Sequence, residues 1–301
     1  MKRFFIFLVF ILSLEAKELS VDDVYERSLL IEDHLHFLLK HYKVDHIHIK
    51  ENDFLISAKL KPRNCWQKSY ELLVKINRLR LAHNLLRIEP IGMEPVENLT
   101  VSMLYGMVDR VLAEIVIFEH RVGLNVPEFT IKKVYGKNLL DVYNELSVIS
   151  NDFDRLNGAP ISYSYIYAET MRIYDDLTII LKHLQIKDNT IPEIRKDDAS
   201  LHDAMKSSLN LLGSITRMQR LVGIDTIEYT EFYKKDKSRS DLYNIVGLIV
   251  SELQPLKAFM GLNKSVTPPA LSYENKTTAD IVQLMSWNYR KFRLIKNLER
   301  K

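Results

Sequence analysis

A unit of about 38 residues recurs along this chain, and the recurrence limits the possible folds more than any single motif does. Three segments open with an acid, an aliphatic residue and a tyrosine: Asp23-Val24-Tyr25, Asp141-Val142-Tyr143 and Asp241-Leu242-Tyr243. Looser copies are Met103-Leu104-Tyr105, Tyr165-Ile166-Tyr167, Asp203-Ala204-Met205 and Asp280-Ile281-Val282. From Tyr105 to Val282 their third positions are spaced by 38, 24, 38, 38 and 39 residues. Eighteen residues after Tyr105, Met205 and Tyr243 stand Gly123, Gly223 and Gly261, each followed by an aliphatic residue: Leu124, Ile224 and Leu262.

Each part of the unit has a physical role. An acid at a helix start meets unpaired amides and the positive end of the dipole. The aliphatic residue and the tyrosine point inward, where the ring can be buried while its hydroxyl keeps a polar partner. A glycine past the last turn takes the left-handed conformation, and the aliphatic residue after it packs back on the helix. Apolar periodicity predicts eight helices, near 21–42, 64–88, 99–122, 138–156, 162–184, 200–222, 239–260 and 277–299. In the seventh, Leu242, Ile245, Ile249, Leu253, Leu256 and Met260 share one stripe, as expected of an amphipathic helix.

The fold class expected is therefore all-α, a helical repeat bundle or short solenoid of about eight helices. Loops of about 15 residues, several carrying prolines (Pro127, Pro192, Pro268, Pro269), join most helices. Such loops either let successive helices run parallel or decorate an antiparallel bundle; an antiparallel bundle or short solenoid is the form expected. The short link Asn157-Gly158-Ala159-Pro160 predicts that helices four and five form an antiparallel pair. One segment departs from helix: Val44–Ile49 alternates, Glu51-Asn52-Asp53 reads as a turn, and Phe54–Leu60 alternates again. That pattern predicts one small β-hairpin near residues 44–61, which must pack on the helices or pair with another chain.

The chain opens Met1-Lys2-Arg3, runs apolar from Phe4 to Leu14 and continues Glu15-Ala16-Lys17. A basic start, a short apolar core and a small residue predict a secretory signal peptide over 1–16, and hence a periplasmic protein. The apolar run is shorter than the roughly 20 residues a membrane span needs. The organisation expected is a leader at 1–16, N-terminal helices with the hairpin at 17–97, and a helical repeat domain at 98–301. Net charge is +3, too weak a bias to argue for nucleic acid. The single cysteine, Cys65, cannot form an internal disulfide and is expected to be a packed thiol.

Catalytic templates are missing: there is no His-Glu-x-x-His, no glycine-rich phosphate loop, no Gly-x-Ser-x-Gly and no haem-attachment motif. The expectation is a protein that is not an enzyme and needs no cofactor. Asp152, Asp154, Asp175 and Asp176 fall on helices four and five, where a carboxylate pair across the link is conceivable. Histidines crowd near the amino end. On a helix His34 and His41 share a face, and on a strand His46 and His48 point the same way. A metal site from these four is the alternative to a solvated polar face.

Two basic stretches remain. Lys234, Lys235 and Lys237 precede helix seven, and Arg290, Lys291, Arg293, Lys296 and Arg300 lie toward the carboxyl end. Their density exceeds what the helix dipole explains, so these residues are the expected partner-binding set, facing an acidic protein surface or anionic headgroups. The leader ending Leu14-Glu15-Ala16-Lys17-Glu18 and repeats such as Leu140-Asp141-Val142-Tyr143-Asn144-Glu145-Leu146 resemble periplasmic helical proteins of polar-flagellated proteobacteria. Some of those proteins build disks around flagellar motors. The resemblance implies a scaffold subunit of an envelope assembly, most concretely a motor-associated periplasmic disk, with other envelope proteins as partners and self-assembly open to it. The alternative is a periplasmic ligand- or metal-binding sensor using the histidine-rich segment.

Overall fold

The computed structural model describes residues 18–45, 56–88, 94–96, 98–229 and 237–296; the expected leader lies outside them. Eight helices carry the fold: α1 (Val21–His41), α2 (Pro62–Ala82), α3 (Val101–Arg121), α4 (Leu139–Leu156), α5 (Tyr163–His183), α6 (Leu201–Leu221), α7 (Arg239–Phe259) and α8 (Thr278–Lys296). Their starts lie 41, 39, 38, 24, 38, 38 and 39 residues apart, so the repeat is one helix and one loop.

The repeated acids sit three residues past the helix cap. Ser20 with Asp23, Asn138 with Asp141, Ser200 with Asp203 and Ser238 with Asp241 form reciprocal capping boxes. Before α8, Asp280 accepts from both the amide and the hydroxyl of Thr277, at 2.8 Å each. Each box satisfies amides that the first helical turn leaves unpaired.

Helix ends repeat as faithfully. Gly123, Gly223 and Gly261 take φ of 76°, 75° and 79°, and the amides of Leu124, Ile224 and Leu262 reach back to Glu119, Gln219 and Lys257 carbonyls. Three further helices close the same way without glycine, through Lys43, Asn84 and Gln185 at φ 55–57°, with Val44, Leu85 and Ile186 as the aliphatic residue. Asn84 ends α2 at Ala82, short of the expected residue 88.

Packing sorts the helices into two rings of four. In the first, α1 contacts α3 and α4, and α2 contacts α3 and α4; in the second, α5 contacts α7 and α8, and α6 contacts α7 and α8. The two rings therefore have the same connectivity, the first two helices of each sitting across the ring from one another, as do the last two. The main helix contact between the rings is α2 with α7, with Gln67 of α2 on Glu169 of α5 and Ser240 of α7 on Asp154 of α4 beside it. The expected boundary near residue 97 falls inside the first ring.

Side-chain contacts give the directions. Arg27, near the start of α1, bonds Tyr105 near the start of α3, while His34 meets Glu119 further along both helices, at 2.8 Å. Asp22 accepts from the amide of Lys137 at the start of α4 (2.7 Å), and Arg155 at its end reaches the carbonyl of Asp45, just past α1 (2.5 Å). Lys75 of α2 holds Asp154 of α4 (2.8 Å), and Arg80 of α2 holds Glu114 of α3 (3.0 Å). The second ring matches: Arg239 lies over Tyr163 at the starts of α7 and α5, and Lys257 pairs with Asp176 toward their ends. All helices of a ring run parallel.

This corrects the expected antiparallel bundle, and the reason is loop length. A 21-residue helix is about 31 Å long, and a 17-residue loop can span more than that when extended. Each long loop thus returns the chain to the end it left. The short Asn157–Pro160 link cannot, so the chain reverses there. At the junction Asn64 of α2 bonds Ser251 of α7 (2.9 Å) while Lys68 bonds Asn244, an antiparallel crossing. Helices α4 and α5 do run in opposite directions, but they belong to different rings and their main neighbours are α1 with α2 and α7 with α8.

The second arm of the expected hairpin forms β1 (Ile56–Ala58), whose partner is the distant β2 (Glu228–Tyr229), antiparallel. Most of the first arm and the turn lie outside the described residues. The small sheet ties the α1–α2 loop to the α6–α7 loop, reinforced by the Lys59–Glu228 ion pair at 2.5 Å.

Candidate docking groove

Joining two rings through α2 and α7 buries polar faces that would otherwise be wet. Sequence periodicity predicts an amphipathic α7, yet Ser251, Glu252, Gln254 and Lys257 are as buried as its leucines, because α2 and α5 cover them. A buried charge is tolerated only when paired and hydrogen-bonded, and the interior obeys this. Lys75 bonds Ser150 (2.6 Å) and Asp154, and Lys68 bonds Glu71 (2.9 Å). Burial alone would raise the Glu71 carboxyl, but Lys68 and Lys75 outweigh it and hold the group down at about 2. Arg172 donates to Glu169 (2.5 Å), which also takes Gln67 (2.8 Å).

Two cavities follow from the arrangement. A cleft of about 440 Å³ between the rings has Tyr70, Glu169 and Tyr243 in its floor. Burial raises the Glu169 carboxyl, and Arg172 beside it balances its charge. The larger opening is a groove of about 1250 Å³ along α6 and α8. From α6 it takes His202, Lys206, Arg217 and Arg220; from α8 it takes Arg290 and Arg293, and Lys237 closes one end. Glu193 is the one carboxylate among the described residues lining it, and it is paired with Arg290 at 2.6 Å. Small residues (Ser207, Gly213, Ser214 and Ser286) line it together with Met205, Leu209, Tyr229 and Tyr289. A cationic lining favours a carboxylate-bearing segment.

The structure divides the basic residues singled out in the sequence. Arg290, Arg293 and Lys237 share the groove, with Lys237 3.0 Å from His202 Nδ1. Lys291 is a correction: it is buried, holding Asp188 and Thr178 with its ammonium over the Tyr174 ring. Its stem and charge serve packing between α8 and α5, so it is unavailable to a partner. The backbone of Lys296 ends α8, and Lys234, Lys235 and Arg300 lie outside the described residues. Sequence inspection passed over His202, Lys206, Arg217 and Arg220 because they are scattered among polar residues. The available signal was their period, which places them along one face of α6.

The other candidates come apart. Asp154 turns to Lys75 and Ser240, and Asp176 to Lys257 and Thr267, so no carboxylate pair bridges α4 and α5. His34 is buried against Glu119, and His41 packs its ring on Tyr42. His46 and His48 lie outside the described residues. Among the described residues no group of three or more His, Cys, Asp or Glu side chains converges as a metal site. No described helix is long and apolar enough to cross a membrane.

No protein-family model, curated protein or solved structure matches the chain.

Proposed function

We propose that this protein is a non-catalytic scaffold subunit that docks another protein segment in the α6/α8 groove. The groove carries the proposal: a channel running along α6 and α8, lined mainly by cations, suits a macromolecular ligand better than a reaction centre. The interior titratable groups are tied to each other, within α2 and α5 (Lys75–Glu71, Arg172–Glu169) and across helices (Lys75–Asp154, Lys257–Asp176), which supports a structural role for them.

The leader-like start and the resemblance of the repeats support placing the assembly in the cell envelope, most concretely a flagellar-motor-associated periplasmic disk. In that setting the rings act as rigid spacers, and the groove provides the contact.

The test is in-cell photocrosslinking. A photoreactive residue replaces Ser207 or Ser214 in the groove, and Glu128 serves as a control in the α3–α4 loop. Protein adducts from both groove positions, with none from position 128, are expected. Groove positions that crosslink to no protein overturn the proposal.

A further inference from the structure

The two rings are copies in connectivity, yet they meet through non-equivalent members. Ring position two of the first (α2) contacts ring position three of the second (α7). The reciprocal pair, α6 at position two and α3 at position three, is left over. Each of these has two helix neighbours where α2 and α7 have three.

The leftover faces can be compared residue by residue through the aligned helix starts. On α2, the junction residues Asn64, Gln67 and Lys68 correspond to Asp203, Lys206 and Ser207 of α6. On α7, Asn244, Gly247 and Ser251 correspond to Gly106, Asp109 and Ala113 of α3. Asp203, Lys206, Gly106 and Ala113 are exposed, so the faces that make the internal junction are uncovered on their counterparts.

The chemistry carries over as well. Within the chain Gln67 lies directly over Gly247, 3.3 Å from where a Cβ would stand; the transposed contact sets Lys206 against Asp109, a half-exposed carboxylate whose partner within its own chain is Arg27 at 3.3 Å. Lys68 on Asn244 becomes Ser207 beside Gly106, two small residues that allow close approach. Beyond Ala113, α3 shows Val116 and Ile117 at 44% and 43% exposure, an exposed apolar strip. The α6/α8 groove is thus the counterpart of the α2/α4 surface, where α7 lies within the chain with Ser240 bonded to Asp154.

We propose that copies of this chain associate head to tail, the α3 face of one copy seating antiparallel on α6 in the groove of the next. This rests on the docking assignment above and identifies the occupant as a second copy. A contact between two different faces leaves one of each free at the ends, so it propagates into a filament or closes into a ring.

The experiment mixes two separately tagged variants of the purified chain, Asp109→Cys and Lys206→Cys. Native Cys65 is buried, and burial pushes its thiol well up, so it stays unreactive. Under mild oxidation a disulfide dimer containing one of each variant is expected, in excess over either homodimer. Sedimentation of wild type is expected to show association that rises with concentration. Lys206→Glu should abolish it, and mixing Lys206→Glu with Asp109→Lys should restore association, because both contacts in an alternating array are then complementary. Circular dichroism checks that the variants fold. Wild type that stays monomeric at every concentration, or homodimers equalling mixed dimers, overturns the proposal. A monomeric chain whose groove still crosslinks to a different protein in cells refutes self-association and leaves the docking assignment standing. A monomeric chain with a silent groove refutes both.

Discussion

Replacing Lys257 with methionine removes the cation from an ion pair that solvent does not reach. Lys257 Nζ lies 2.6 Å from Asp176 Oδ1, and both side chains are fully buried. Asp176 Oδ2 also accepts from Thr267 (2.6 Å) and Gln254 (3.1 Å), so the carboxylate stays fixed in place when the lysine is gone. Breaking a buried pair on one side typically costs about 3–5 kcal/mol, because the remaining charge is uncompensated. Lys257→Met is therefore expected to lose about 3–5 kcal/mol. The double variant Lys257→Met/Asp176→Leu removes both charges. It leaves the Thr267 hydroxyl without its acceptor, while Gln254 still donates to Val250 and Thr267; this costs about 1–3 kcal/mol, so the double variant should be no worse than the single one and is expected to be more stable. Urea denaturation followed by circular dichroism measures all four corners of the cycle. A single-variant loss under about 1 kcal/mol, or a double variant as costly as the two single changes summed, refutes the buried-pair reasoning.

Stability should also depend on pH in a defined direction. Burial pushes the Glu94 carboxyl up to about 7 despite Arg63, and burial with Glu32 nearby pushes Glu145 up to about 8. The folded state thus holds protons that the unfolded state releases above about 4.5, and stability falls as pH rises through 7 and 8. Glu94→Gln should flatten that slope, read from urea midpoints, although it leaves the buried Arg63 guanidinium without its carboxylate partner 3.2 Å away. Glu71, held at about 2, acts oppositely: its contribution is present above about pH 4.5 and lost as pH falls toward 2. At the helix ends, Gly223→Ala should cost about 1 kcal/mol because φ there is 75°, while Lys43→Gly should be neutral to stabilising; thermal unfolding distinguishes the two.

Local structure was largely legible in the sequence, since it is set by neighbours along the chain. The acids of the repeat became capping boxes, and the glycines became left-handed helix ends. Non-glycine stops such as Asn84 escaped notice because nothing in the residue type requires a left-handed backbone. Helix direction was not legible: a long loop permits either, and only contacts such as Asp22 with Lys137 decide it. The docking groove was half visible. Arg290, Arg293 and Lys237 stood out in charge-dense runs, whereas Lys206 and Arg217 join them only after α6 is folded beside α8. Lys291, from the same run, points the other way because α5 supplies Tyr174 and the loop after it supplies Asp188 on its side. A charge run does not reveal which members a neighbouring helix will capture.

The groove, its counterpart at the ring junction and the proposed assembly all rest on helices running parallel within each ring. Cysteine pairs with a short bismaleimide test this directly. In Asp22→Cys/Lys137→Cys the two positions join the starts of α1 and α4; in Asp22→Cys/Arg155→Cys they join the start of one to the end of the other. The parallel ring predicts rapid intramolecular crosslinking of the first pair and none of the second, whose positions lie nearly a helix length apart, about 25 Å. Crosslinking of the second pair and not the first would show an antiparallel bundle and contradict the account.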